Sequence, residues 1–194
     1  MVVLVTDRLR LRPFEPRDAA RFAELAGAFA VARMTTDIPH PLSADQASAW
    51  VRHVAGDVRF AIARDGALIG GVGYFMKRAR TAELGFWLGE AYWDQGYATE
   101  AARAVVQHGF STGDVVTFTT SHFLDNAASR RVITKLGFAA IGAEQMWSPA
   151  RGAMATALIY RLENTLVRHA PIAPMPPRRG WRDVVARARS LMLG

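Results

Sequence analysis

The 194-residue chain contains no cysteine. That absence excludes disulfides, thiolate metal sites and a cysteine nucleophile. Lysine is almost missing too: of 24 basic residues, only Lys77 and Lys135 are lysine. The arginine bias reflects genomic base composition more than function. No apolar run approaches the roughly 20 residues that a membrane-crossing helix needs. The opening Met1-Val2-Val3-Leu4-Val5 is too short for the apolar core of a signal peptide. Together these absences predict a cytoplasmic protein. No internal repeat is present.

Half of the residues are apolar, enough for one sizeable core. The net charge of +7 is unevenly placed: residues 164–194 hold six arginines and one aspartate, while residues 1–163 carry eighteen basic and sixteen acidic side chains. The near-balanced body makes nucleic acid an unfavoured partner. A nucleic-acid-associated protein acting through the tail is one alternative reading, and it requires salt-sensitive binding that deletion of residues 171–194 abolishes.

Local patterning predicts the elements. Residues 9–14 alternate as a strand. Asp18 and Ser43 are placed to cap helices reaching about Ala26 and Val54, with a proline-bearing loop over 34–42 between them. Residues 58–63 and 67–75 read as a hairpin around Asp65-Gly66, and 82–88 as a further strand. A helix over 99–110 buries Ala102, Val105, Val106 and Phe110. A strand at 115–121, a helix over 126–136 stopped by Gly137, and strands at 138–146 and 156–162 complete the order. The fold class is α/β (α+β): a mixed, mostly antiparallel sheet with helices on both faces. The expected organisation is a domain over 1–165, a Pro/Arg-rich linker over 166–180 and a basic amphipathic helix over 181–194. That helix is read as packing on its own domain or on a sister subunit, which makes a homodimer one expectation.

The run from Leu84 to Ala101 begins as a strand and ends as a helix, with Gly96 at its tightest point. A loop that opens a helix in this way presents unpaired N–H groups at the positive end of the helix dipole, where phosphates bind. Trp93-Asp94-Gln95-Gly96-Tyr97-Ala98 resembles the acyl-CoA pyrophosphate loop of the GNAT superfamily of N-acetyltransferases, with flanks like those of the ribosomal-protein acetyltransferase (RimJ/RimL-like) branch. Asp125-Asn126-Ala127-Ala128-Ser129, running on to Lys135-Leu136-Gly137-Phe138, is similar to a second stretch of that branch. The opening Thr6-Asp7-Arg8-Leu9-Arg10-Leu11-Arg12-Pro13 is similar to a third.

The resemblance implies a sheet of six to seven strands, splayed between the fourth and fifth, with acetyl-CoA as acyl donor and no metal. Backbone groups at Phe86, Trp87 and Leu88 would pair with the pantetheine arm. Gln95, Gly96, Tyr97, Ala98 and Thr99 would hold the pyrophosphate. Asn126 would contact the arm, and Ser129 would assist the departing thiolate. The acceptor would be a primary amine, on a small molecule or a protein N-terminus, attacking directly in a ternary complex. Glu83, which strand alternation sets on the face opposite Leu84, toward an expected acceptor pocket, is the first candidate base; its structural alternative is a surface ion pair with Arg78 or Arg80. His122, placed after the 115–121 strand, is a second candidate, with a structural hydrogen bond as its alternative. Helix capping is the alternative for Asn126 and Ser129. Asp37, Glu83 and Glu144 are candidate acids for a cationic acceptor. Asp94 departs from the family's usual glycine and could pair with Arg130 or Arg131. A non-catalytic acyl-CoA-binding or regulatory module of the same fold is the remaining alternative.

Overall fold

A computed structural model describes residues 2–52 and 56–165. The expected linker and terminal helix, residues 166–194, lie outside the described residues. The chain opens with short strands β1 (Leu4–Val5) and β2 (Arg10–Arg12), then a 3-10 turn (Pro16–Asp18). Helices α1 (Ala19–Ala26), α2 (Phe29–Ala32) and α3 (Ala44–Val51) follow. A meander of β3 (Asp57–Arg64), β4 (Ala67–Arg78) and β5 (Thr81–Leu88) leads into α4 (Tyr97–Ser111). Strand β6 (Thr117–Phe123), α5 (Ala127–Lys135), β7 (Ala139–Ser148) and β8 (Ala153–Glu163) close the domain.

Local chemistry explains most boundaries. Asp65 (φ 50°) and Gly66 (φ 82°) take the left-handed pair that a tight hairpin requires. Ser43 caps α3 through a reciprocal bond with Gln46: its hydroxyl accepts the Gln46 N–H, and the Gln46 side chain accepts the Ser43 N–H. Asp18 differs from expectation. It already has helical geometry (φ −76°) and makes no capping bond to α1. Its carboxylate instead accepts the Glu15 N–H at 2.8 Å and a two-pronged bond from Arg12 at 2.7 and 2.8 Å.

The eight strands form one sheet in the order β1-β2-β3-β4-β5-β6-β8-β7. The strand beyond the seven expected is β1, which pairs with β2 at the edge. All neighbours run antiparallel except β5 and β6. Strand alternation feeds two helical layers. Leu84 and Leu88 point into a core with Ala101, Val105 and Val106 of α4 and Ile133 of α5. Trp87 points the other way, into a core with Phe22 and Leu25 of α1 and Ala47 and Val51 of α3. Each such fully buried aromatic or aliphatic side chain contributes about 1.5–3 kcal/mol.

The position of the site follows from one interruption. The parallel ladder between β5 and β6 joins only Thr81, Ala82 and Glu83 to Thr117, Phe118 and Thr119. Beyond it β5 stays with β4 and β6 stays with β8, so the two halves of the sheet diverge. Among the described residues, no helix is long and apolar enough to cross a membrane.

Candidate active site

The divergence leaves strand-edge groups facing a gap. Leu84, Phe86 and Leu88 share one backbone orientation along β5. The Leu84 carbonyl accepts the Thr120 hydroxyl at 3.0 Å, and the Leu88 carbonyl accepts the Trp93 indole N–H at 2.9 Å. Phe86 lies between them, with its N–H and C=O turned toward the gap. Trp87 has the opposite orientation and pairs with Gly71 of β4. Of the three residues expected to hold the cofactor arm through their backbone, Phe86 is therefore the one best placed. Trp87 contributes wall.

The gap opens into a groove of about 340 Å³. Phe86, Trp87 and Leu88 line it, together with Gly96, Tyr97, Ala98, Thr99, Asn126 and Ser129. Gly96 stands at the start of α4 with φ 82°, and no side chain caps the helix. Its first amides thus remain available to an anion, with the helix dipole adding to the attraction. Asp94 also has a positive φ, 56°. A left-handed residue is needed at that point of the loop, which glycine meets without strain and aspartate tolerates. The Asp94 carboxylate turns to Arg131 at 2.7 Å.

Arg8, to which the sequence reading gave no role, braces the loop from behind. Its guanidinium donates to the Gln95 carbonyl at 3.0 Å, pairs with Glu100 at 2.7 Å and lies 4.6 Å over the Tyr97 ring. Burial works to raise the Glu100 pKa, yet hydrogen bonds from Thr6 and Arg8 outweigh it and hold the group below its ordinary value. The available signal was the Arg8–Glu100 charge complementarity, which spans 92 positions in sequence.

A second cavity of about 100 Å³ lies between the α2–α3 loop and strands β4, β5 and β6. Thr35, Thr36, Asp37, Glu83, Gly85 and His122 line it. It shares Phe86, Trp87 and Ser129 with the groove. Glu83 projects into it as alternation predicts. Its ion-pair partner is Lys77, with Nζ 2.7 Å from Oε2, rather than Arg78 or Arg80. That oxygen nevertheless receives no hydrogen bond of acceptable geometry, so the pair acts through charge. Glu144 lies elsewhere, exposed on β7.

His122 sits inside β6 rather than after it, and it is 4% exposed. Its Nδ1 lies 2.7 Å from the Phe123 carbonyl and its Nε2 3.1 Å from the Tyr160 hydroxyl. A carbonyl accepts only from a protonated nitrogen, so Nδ1 donates to Phe123, and Nε2 is paired with the Tyr160 hydroxyl. Both nitrogens are engaged. Asn126 caps α5 by accepting the Ser129 N–H at 3.0 Å, which leaves the Ser129 hydroxyl at the junction of the two cavities.

The family profile described as "Acetyltransferase (GNAT) domain" matches residues 8–139. The chain belongs to the GNAT acetyltransferase family. It is 32% identical over 146 residues to the Bacillus subtilis (strain 168) protein named "Uncharacterized N-acetyltransferase YoaA", covering 70% of this chain and 82% of that one. It is 34% identical over 59 residues to the ribosomal-protein-serine acetyltransferase of Escherichia coli (strain K12), covering 30% and 33%. In fold it is similar to RimL, the ribosomal L7/L12 alpha-N-protein acetyltransferase solved with coenzyme A, with a TM-score of 0.73 at 19% identity over 84% of this chain and 98% of RimL. This GNAT protein is an acyltransferase that uses acetyl-CoA. The groove fits that donor: an uncapped helix start for the phosphates, a free strand edge for an amide-bearing arm, and Lys135 and Arg131 on the rim. Among the described residues, no group of three His, Asp or Glu side chains could hold a metal ion.

Proposed function

We propose that the protein acetylates a primary amine, on a small molecule or a protein N-terminus, by direct attack within a ternary complex. The observation that carries this reading is the meeting of the two cavities at Phe86, Trp87 and Ser129. An acyl donor in the groove and an amine in the smaller cavity would face each other there. Bound acetyl-CoA supplies an activated thioester carbonyl.

The protein's residues orient and move protons. The Phe86 backbone and the α4 amides at Gly96, Tyr97, Ala98 and Thr99 hold the donor. Gln95 keeps the loop folded, its side chain donating to the Ala91 carbonyl at 3.0 Å. Glu83 receives the proton that the nitrogen loses, directly or through water. Ser129 donates a hydrogen bond to the sulfur as its charge grows. Transfer forms one C–N bond and breaks the thioester C–S bond; the nitrogen gives up a proton and the departing sulfur takes one. His122, with both nitrogens engaged, shapes the wall of the acceptor cavity. The likeness to ribosomal-protein acetyltransferases supports a protein N-terminus within the acceptor class.

Calorimetric titration with acetyl-CoA, followed by thiol release over a panel of amines and N-terminal peptides, tests the reading. Saturable binding with acceptor-dependent release is expected. Binding without release from any acceptor would favour the non-catalytic module. Glu83→Gln should lower kcat on the order of a hundredfold, the usual scale of general-base catalysis, with acetyl-CoA affinity unchanged.

A further inference from the structure

Two carboxylates line the acceptor cavity, close enough for the charge of one to act on the other. Glu83 enters from β5 and Asp37 from the loop between α2 and α3. Asp37 Oδ2 and Glu83 Oε2 are both shut off from bulk solvent, and neither receives a hydrogen bond. A buried carboxylate oxygen without a hydrogen bond is rare in a folded interior; Asp37 Oδ2 has no donor from the domain, and Glu83 Oε2 has only the charge of Lys77 beside it.

The surroundings explain why Asp37 stays there. The Trp50 indole of α3 donates to its carboxylate, and Arg59 of β3 attracts it from a distance. Arg59 sends hydrogen bonds to the Trp50 and Arg52 carbonyls at 2.7 and 2.6 Å and has Asp57 beside it at 3.9 Å. Lys77 of β4 stands at Glu83, and His122 of β6 lines the same cavity. Burial pushes the Asp37 pKa up to about 6, and the Glu83 charge adds to the rise against Trp50 and Arg59. Glu83 already holds one primary ammonium, that of Lys77, and Lys77 is half exposed and free to give way.

We infer that Asp37 is the specificity-determining partner of Glu83, the two carboxylates together seating the acceptor as a primary ammonium. An ammonium brings three donors and a positive charge, which matches two carboxylates that each keep one oxygen without a hydrogen bond better than a hydroxyl or an amide can. Glu83 then takes the proton that turns the ammonium into the attacking amine, the second proton lost by the nitrogen on acylation ends on the departing sulfur, and Asp37 keeps the nitrogen on line. This assignment rests on reading the smaller cavity as the acceptor site.

The test uses the full-length, carbon-13-labelled protein and follows the Asp37 carboxyl carbon by NMR against pH. The probe is propylammonium chloride, with n-propanol as its uncharged counterpart. Asp37 should titrate near pH 6 alone. Propylammonium should lower that midpoint by about one unit or more, since a nearby cation favours the ionised form, and propanol should leave it in place. Asp37→Asn keeps an acceptor for Trp50. It should weaken propylammonium binding, read at the Glu83 carbon, by roughly thirtyfold, the lower end for losing one partner of a buried charge. In turnover with any amine the protein accepts, the same variant should raise the amine KM more than it lowers kcat. An Asp37 midpoint unmoved by propylammonium would overturn the inference without any variant, and so would an unchanged affinity in Asp37→Asn. Acetyl-CoA titration of the same samples separates the two readings: absent donor binding would sink the acyltransfer proposal while the ammonium result still stood or fell alone.

Discussion

Gly85 lies on the same side of β5 as Glu83, and a Cβ there would meet nothing within 4 Å. The empty space belongs to the smaller cavity, the one we propose for the acceptor. Gly85→Leu should therefore fold normally yet block acceptor entry, cutting kcat/KM for an amine by about tenfold or more while acetyl-CoA binding holds; a loss of donor affinity would contradict the assignment of the two cavities. Gly71 shows the opposite case. A Cβ at Gly71 would come within 2.5 Å of the Trp87 indole nitrogen. Gly71→Ala should cost about 1–3 kcal/mol through overpacking, seen as a lower denaturant midpoint. The face on which Glu83 lies was legible from alternation alone. Asp37 was visible only as a charge in a loop, because its neighbours Trp50, Arg59 and Glu83 come from three other elements.

The loop from Trp93 to Gly96 and the helix it opens are the elements we propose for donor binding. Their signature is short-range, which is why the sequence displayed it: a tight glycine, small residues after it, and a strand before. Two left-handed residues in three positions make this loop conformationally demanding. Asp94→Gly should relieve about 1 kcal/mol of that cost and remove a carboxylate beside the phosphates. The expected result is several-fold tighter acetyl-CoA binding by calorimetry; weaker binding would show that the Asp94–Arg131 pair shapes the groove. The β5–β6 splay is an element-scale property that no single strand reveals. It follows from β5 remaining with β4 and β6 remaining with β8 beyond Glu83 and Thr119.

At the scale of the whole molecule, carboxylate–arginine pairs join segments far apart in the chain. Asp125 receives Arg151 at 2.8 and 3.0 Å and Arg33 beside it, so the loop after β6, the β7–β8 turn and the end of α2 are tied at the mouth of the site. The Arg151 hydrogen bond, working against burial, holds the Asp125 pKa below its ordinary value. For Asp18 burial is the largest influence and acts upward, but bonds from Arg12 and Glu15 prevail and the net shift is downward. Both folded-state values lie below the unfolded ones. The stability they contribute is complete above the ordinary carboxylate pKa of about 4 and is lost as pH falls through the folded values. Thermal unfolding should therefore show a Tm insensitive to these groups near neutrality and dropping below about pH 4. Asp18→Asn, which leaves Arg12 without its charge partner, should cost about 3 kcal/mol at pH 7 and flatten the acid decline.

The amino-acid sequence by itself determined the order of the main elements, without β1 and α2, together with the hairpin at Asp65-Gly66, the helix stop at Gly137 and the glycine loop before α4, because each depends on residues within a turn or two of one another. It also placed Glu83 on the open side of its strand. Tertiary structure alone decided which groups meet: Lys77 rather than Arg78 or Arg80 at Glu83, Tyr160 on His122, Arg8 behind the loop, and Asp37 rather than Glu144 in the cavity that Glu83 lines. These meetings depend on strand register and on how the helical layers lie across the sheet. Both are long-range quantities that local patterning does not contain.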